Sequence, residues 1–438
     1  MFKIEWDITD KKLEWDIGKL FSISDQHDGI CLFTSLEDRS AGKNIVGINP
    51  VRKFETLNEI DSFLRLNRTE ENLPFLLGFI AYDHKDKTEE KGLFGDIHEN
   101  IFSELCFSLF EYYIVADNSD NSKIKFYRVK YPFTHNRIDP DKVFETQPVQ
   151  SGKGKSVYKG SSLSKTQFEN GVKKIKDHIL NGDIYQANLT RKIEAETSLK
   201  PLELAVRLKD SNSIEFGVFA KIDGKYVIST SPERFFRVSD GLLTASPIKG
   251  TSPRYSDVKK DKDSFDSLLN SVKERAELAM IVDLLRNDMN RICSNVEVDG
   301  FPLVMKLKNV YHLYSNITGK LNKHDFSDII KALFPAGSIT GCPKVRACQI
   351  IEELEGSGRG LYTGNFGWTG LNGDMDFNIM IRTLFYDRGK VFFSVGGGIT
   401  LLSDPEAEYI ETIHKARNIY DALNMEEVWE ERYCLTEK

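Results

Sequence analysis

The sequence predicts an α+β protein, on three observations. Long stretches of helical periodicity, such as 165–180 and 271–292, lie among many short β-type runs. The two kinds do not alternate as regular βαβ units. Turn residues join some neighbouring runs directly, as at Ser239-Asp240-Gly241. A chain of 438 residues suits two subdomains or one large elaborated domain, and 40% apolar with 29% charged residues is an ordinary soluble composition.

From the N-terminus, residues 1–135 read as a first domain with strands at Ile30-Cys-Leu-Phe33, Phe107–Ala116 and Lys123–Val129 between acidic connectors. Gly78-Phe-Ile-Ala-Tyr82-Asp83 reads as a buried strand rather than a site. Residues 136–164 turn to Pro, Ser, Gly and Lys, including Gln150-Ser-Gly-Lys-Gly-Lys-Ser156 and Gly160-Ser-Ser162, and read as a linker. Residues 165–430 form the domain in which the chemistry concentrates. A helix over Lys165–Leu180 meets a turn at Asn181-Gly182-Asp183 and a strand over Ile184–Thr190. A hairpin about Gly241 follows, with Tyr226-Val-Ile228 before it and Leu242-Leu243 after it, and a regular ladder would set Glu233 and Lys249 roughly opposite each other. Helix 271–292 carries apolar residues at 278, 281/282, 285, 289 and 292, a buried face. Pro343 suits the first position of a helix that runs on over Lys344–Leu354. Strand Lys390–Val395 runs into a turn at Gly396-Gly397-Gly398. The last helix starts with Ser403 and Glu406 as a capping box and Pro405 in its first turn.

The net charge of −7 argues against a general nucleic-acid binder. Six scattered cysteines with no CxxC pair read as reduced thiols in a cytoplasmic protein. No signal-like apolar segment opens the chain, and the longest apolar run, around Leu73–Tyr82, is too short to span a membrane.

Several residue groups carry chemistry. Glu274 with Glu277, and Glu408 with Glu411, are i,i+3 pairs on helices, either solvated surface or an all-oxygen site suited to Mg²⁺. Lys415 follows Glu411 by one turn, either as its salt-bridge partner or as cationic charge at a site. Arg382 interrupts an apolar strand and needs an anion, from the protein or from a substrate carboxylate. The glycine-rich turns 337–341 and 396–398 can offer backbone N–H groups to an anion. Glu233 and Lys249 are either an ion pair or a general acid beside a nucleophile. No nucleotide-binding loop, Gly-x-Ser-x-Gly elbow or His-Glu-x-x-His occurs, and no cysteine has the glycine-rich setting of a glutamine-hydrolysing nucleophile. Together these groups describe a pocket for a polyanionic small molecule.

At these residues the chain resembles the chorismate-utilising enzymes, and within them the aminodeoxychorismate synthase component I branch. The resemblance rests on Asp183-Ile-Tyr-Gln-Ala-Asn-Leu-Thr190, Thr230-Ser-Pro-Glu-Arg-Phe235, Pro247-Ile-Lys-Gly-Thr251, Ala276–Asp288, Phe334–Ala347, Gly396-Gly-Gly-Ile399 and Glu406-Ala-Glu-Tyr-Ile-Glu-Thr412. It implies two packed antiparallel β-sheets flanked by helices, with a smaller N-terminal α/β region, like that of anthranilate synthase component I, merged onto them. Lysine at 249 marks the aminodeoxychorismate synthases, where anthranilate synthases carry alanine. Gln186 stands where isochorismate and salicylate synthases carry a water-activating lysine.

The resemblance further implies site roles. Mg²⁺ would be held by Glu277 and Glu411, with Glu274 and Glu408 supporting. The substrate chorismate would meet Gly250, Thr251, Ser338 and Gly396–Gly398 at its ring carboxylate, and Tyr362, Arg382 and Gly398 at its enolpyruvyl carboxylate. Lys415 would add positive charge, and His312 would lie near the ring or be a buried structural residue. Glu233 would be the general acid and Lys249 the covalent nucleophile. A separate glutamine amidotransferase subunit would supply ammonia, and the product would be 4-amino-4-deoxychorismate, on the route to p-aminobenzoate and folate. Anthranilate synthase component I, or a non-catalytic chorismate-binding subunit, are the alternatives. The nearest match to a regulatory Leu-x-Ser motif, Leu32-Phe-Thr-Ser35, fits poorly and assigns no feedback control.

Overall fold

The computed structural model describes residues 5–425 except 13–14, 35–42, 72–73, 89–93, 95–99, 118–122, 131–139, 146–151, 153, 212–213 and 308–309. Ser35 of the Leu32–Ser35 match, part of the 136–164 segment and residues 426–430 thus lie outside the described residues.

Every strand pairing described is antiparallel. The strands form two ladders that meet at Leu105–Asp117, whose length lets it pair with Lys43–Phe54, Pro74–Ile80 and Lys123–Lys130 at once. From it, one ladder runs through Lys43–Phe54, Ile30–Phe33, Phe216–Ile222, Lys225–Ser231, Thr383–Asp387 and Lys390–Ile399 to Gln186–Thr197. The other runs through Pro74–Ile80, Asn365–Gly370, Met375–Ile379, Arg234–Ser239 and Leu242–Ala245 to Val310–Leu321. Helices flank these sheets, as an α+β chain without βαβ alternation requires.

The N-terminal residues are continuous with this frame. One apolar cluster joins Phe54, Phe79 and Phe107 to Leu278, Ile281 and Phe377, and another joins Phe21, Phe33 and Tyr112 to Ile193, Phe393 and Tyr420. The expected linker is also partly sheet, because Ser156–Ser161 pairs along Gln186–Thr197.

Several helices follow their sequence signals. Lys165–Leu180 opens with a Ser164/Gln167 capping box and buries Phe168, Val172 and Ile175. Val272–Asn290 is capped by Ser271 and buries Leu278, Ile281, Val282, Leu285 and Met289, the expected stripe. Two caps differ from expectation. Asp404, not Ser403, caps Pro405–Ala422 by accepting from the Ala407 N–H, and Ser403 instead donates its hydroxyl to Glu408 Oε1 at 2.6 Å. Pro343 is the N-cap of Lys344–Glu355 rather than its first helical residue, with an extended ψ of 141°.

The hairpin is shorter than expected. Ladder pairing about Gly241 ends at Arg237–Thr244, and Tyr226–Ile228 belong to a different strand. Beyond that point Arg234 pairs with Asn378, and Lys249 pairs with Leu313. Pro232 and Pro247 explain the parting, since neither has an N–H to extend the ladder. Glu233 and Lys249 are therefore not cross-strand partners. The 396–398 glycines are likewise strand, not turn, pairing with Thr190, Leu189 and Asn188. Glycine is needed there because a Cβ on Gly396 would lie 2.2 Å from the Leu189 carbonyl oxygen.

Gly78 is the tightest point of the strand that joins the N-terminal residues to Asn365–Gly370. A Cβ there would sit 2.2 Å from the Cys106 carbonyl oxygen and 2.5 Å from Phe107 Cα, both backbone. Gly78→Ala is expected to cost about 1–3 kcal/mol through forced backbone shifts, read as a lower denaturant midpoint; an unchanged midpoint would contradict this packing.

Candidate functional site

The two ladders and the Val272–Asn290 and Pro405–Ala422 helices enclose a cavity of about 960 Å³. Its lining includes all the residues singled out from the sequence except Gln186. Gln186 is completely buried just beneath it, where a Cβ on Gly398 would come 2.4 Å from its Nε2.

Glu233 and Lys249 meet through a third residue. Ser338 donates its hydroxyl to Glu233 Oε1 at 2.7 Å, and Lys249 Nζ donates to the Ser338 carbonyl oxygen at 3.2 Å. Ser338 reaches this point because the short 3-10 turn Gly337–Ile339 follows the helix Phe326–Leu333 and leads into the two-residue strand Gly341–Cys342. Burial raises the Glu233 carboxyl above the usual carboxylate range, against the pull of Ser338 and Lys249. Burial also lowers the Lys249 amine, against the pull of Glu233. Both shifts favour the uncharged forms, which an acid and a nucleophilic amine require.

The four glutamates line one side of the cavity from two helices. A Cβ on Gly250 would lie 2.8 Å from Glu274 Oε2, and one on Gly397 would lie 3.3 Å from Glu408 Oε2 and 3.4 Å from Glu411 Oε1. Burial raises the Glu277 carboxyl, and Glu274 and Glu408 add to the rise against Lys249 and Lys273. Burial also pushes the Glu411 carboxyl upward, but Lys415 at 2.6 Å, together with Lys273 and Lys249, holds the group below its ordinary value. Lys415 also donates to the Gly396 carbonyl oxygen at 2.9 Å. Among the described residues no three metal-ligating side chains converge as a ready-made set. The donors are nonetheless the oxygen type that suits Mg²⁺, which typically takes one or two carboxylates and completes its shell with water and substrate oxygens.

Arg382 projects from a kink between two strands, where its φ is +49°. Among the described residues no carboxylate forms an ion pair with it. Burial is what lowers its proton affinity. His312 Nδ1 lies 2.8 Å from Thr251 Oγ1, and burial with nearby Arg382 takes its pKa down to about 4, so the ring is neutral. Tyr362 is buried, and burial raises its phenol.

Sequence reasoning passed over Asn188, Lys273, Thr363, His414 and Arg417, which also line the cavity. Asn188 had a signal, since alternation along a strand puts it on the same face as Gln186. Lys273, His414 and Arg417 lie on the two glutamate-bearing helices and had none beyond their residue type.

The model for "chorismate binding enzyme" matches residues 29–421. The chain belongs to the chorismate-binding enzymes. It is 39% identical to the aminodeoxychorismate synthase component 1 of Bacillus subtilis over 59% of this chain and 56% of that protein. To the protein of the same name in Escherichia coli it is 32% identical over 81% of this chain and 78% of that one. An anthranilate synthase component 1 from Aquifex aeolicus is 38% identical over 61% of this chain and 55% of its own length. The alignments thus span little more than half of some curated relatives. Among solved structures, anthranilate synthase component I of Streptococcus pneumoniae superposes with a TM-score of 0.73 at 29% identity, covering 88% of this chain and 93% of that one. The menaquinone-specific isochorismate synthase of Escherichia coli shares the fold, with a TM-score of 0.79 over 96% of this chain and 95% of that one at 19% identity. This chorismate-binding enzyme fold is α+β, its sheets flanked by helices as expected. Among the described residues no helix is long and apolar enough to cross a membrane.

Proposed function

We propose that this chorismate-binding enzyme aminates chorismate at C4, giving 4-amino-4-deoxychorismate, with ammonia delivered by a separate glutamine amidotransferase subunit. The observation that carries the reading is a buried amine and a buried carboxyl, both displaced toward neutrality and joined through Ser338. The relatives named aminodeoxychorismate synthase component 1 support the choice of product.

Arg382, with no ion-pairing carboxylate among the described residues, can pair with the enolpyruvyl carboxylate beside Tyr362 and the Gly398 amide. Gly250, Thr251 and Ser338 border the ring-carboxylate end, with neutral His312 against Thr251. Glu277 and Glu411 would hold Mg²⁺, with Glu274 and Glu408 supporting. Bound there, the cation supplies positive charge to the ring carboxylate.

Lys249 Nζ adds at C2 of the ring as a neutral amine while both ring double bonds shift, C1=C2 to C1=C6 and C5=C6 to C4=C5, and the C4–O bond breaks. Glu233 gives its proton to the departing hydroxyl, which leaves as water, because hydroxide is a poor leaving group. Ammonia then forms the C4–N bond, both double bonds shift back, and the C2–Nζ bond breaks to free Lys249. A proton from the new ammonium returns to Glu233. Net, chorismate and ammonia give aminodeoxychorismate and water.

The test is to incubate the protein with chorismate and ammonium, with and without Mg²⁺, and identify products by mass and chromatography. Mg²⁺-dependent aminodeoxychorismate supports the reading. Anthranilate would instead place the chain with its anthranilate synthase relatives, and binding of chorismate without turnover would mark a non-catalytic subunit.

A further inference from the structure

Behind the cavity wall lies a buried ion pair that no step above uses. Glu355 ends the helix Lys344–Glu355, and Arg359 follows in the next loop; their side chains are 5% and 3% exposed. The guanidinium grips Glu355 with two bonds, Nε to Oε2 at 2.9 Å and Nη2 to Oε1 at 2.7 Å. It also donates from Nη1 to the Ile339 carbonyl oxygen and from Nη2 to the Asn188 carbonyl oxygen, each at 2.9 Å, and from Nη1 to the Thr363 hydroxyl at 3.4 Å. Glu355 Oε1 also accepts from the Thr190 N–H at 2.8 Å and its hydroxyl at 2.9 Å. The Tyr82 ring covers one face, 4.7 Å from the guanidinium carbon.

This pair ties the turn at Ser338 to the strand carrying Asn188. Ile339 is the neighbour of Ser338, the residue that links Glu233 to Lys249. A buried ion pair is weak evidence for stability, since apolar residues of similar volume often serve as well. One of its bonds here ends on the backbone carbonyl next to Ser338, which touches both reacting groups, and a displacement of about 1 Å at such a point can cost a hundredfold in rate.

We propose that Arg359, oriented by Glu355, is a positioning residue that fixes Ser338 between Glu233 and Lys249. The proposal rests on the amination reading above. Lysine at 359 cannot reproduce the planar fork, and glutamine at 355 removes the charge that orients it. With Ser338 displaced, Glu233 loses a hydrogen bond that favours its ionised form, while Lys249 and Lys415 still face it.

The experiment assays the parent, R359K, E355Q, S338A and R359K/S338A with chorismate, ammonium and Mg²⁺, after melting curves confirm folding. R359K and E355Q are expected to lose at least about tenfold in kcat with KM for chorismate changed less than about threefold. The falling alkaline limb of their pH profiles should move upward. R359K should cost little in the S338A background, because both changes remove the same constraint. Parent-like kcat in R359K and E355Q, or losses of R359K and S338A that simply multiply, would overturn the proposal. So would failure of both single variants to fold, which would make the pair a folding element. A parent that leaves chorismate untouched overturns the functional reading itself, and this role with it.

Discussion

Lys249→Ala is expected to lower chorismate turnover with ammonium by at least about a thousandfold, the scale of removing a covalent nucleophile. Lys415, the other amine near Glu233, cannot stand in, because Glu411 and the Gly396 carbonyl oxygen already hold it. The variant should fold normally. Among the described residues the Lys249 side chain makes one hydrogen bond, to the Ser338 carbonyl oxygen, whose loss costs on the order of 1 kcal/mol. Burial already raises the Glu233 carboxyl, and losing Lys249 removes a pull in the other direction, so the variant disfavours an orphaned buried carboxylate. Chorismate binding, measured by calorimetry, should therefore survive while product disappears. Retained turnover to aminodeoxychorismate would remove Lys249 from the chemistry. A switch to anthranilate would show that the lysine chiefly decides which ring carbon ammonia attacks.

Glu233→Gln should cost about a hundredfold to ten-thousandfold in kcat, the usual contribution of a positioned general acid. Glutamine has nearly the same shape and can still accept from the Ser338 hydroxyl, so the loss isolates the proton. The pH profile gives the sharper reading. The working pair holds one proton, on Glu233, with Lys249 neutral. A second proton, taken by Lys249 as pH falls, stops the reaction; so does loss of the last proton as pH rises. The parent profile is therefore a bell whose two limbs belong to the coupled pair. Lys249 is lowered, which keeps its amine available below the ordinary lysine range. Glu233 is raised, which keeps its proton above the ordinary carboxylate range. With free ammonia held constant, E233Q should lose the falling alkaline limb. A full bell in E233Q would mean that another group supplies the proton.

The parts of the molecule that were legible in the sequence are those with local signals. Ser164 with Gln167 and the stripe from Leu278 to Met289 specified two helices within a residue or two. Glu233 and Lys249 were paired by their symmetry about Gly241, and they do share the cavity. Their meeting has another cause, since Pro232 and Pro247 break the ladder and Ser338, about ninety residues further along, spans the gap. The Glu355–Arg359 pair has, in the sequence, nothing beyond the i,i+4 spacing of an ordinary helix-end salt bridge to single it out. Only the fold shows its bonds to Ile339 and Asn188. The pairing of Ile30–Phe33 with Phe216–Ile222 also left no local trace, because each strand carries its own alternation but no record of its partner.

The meeting of Gly78 with Gly367 has a consequence in time. The two are 289 residues apart (367 minus 78), and their strands lie side by side in the finished sheet. At roughly 5–20 residues per second, a ribosome needs on the order of fifteen to sixty seconds to travel between them. Throughout that interval the apolar segment Leu76-Leu-Gly-Phe-Ile80 waits with one edge unmatched. Its early neighbour, Leu105–Asp117, arrives within a few dozen residues and can shield the other edge. The newborn chain is thus half-zipped for most of its synthesis, and the open edge is closed only after the segments carrying Glu233 and Lys249 have already emerged.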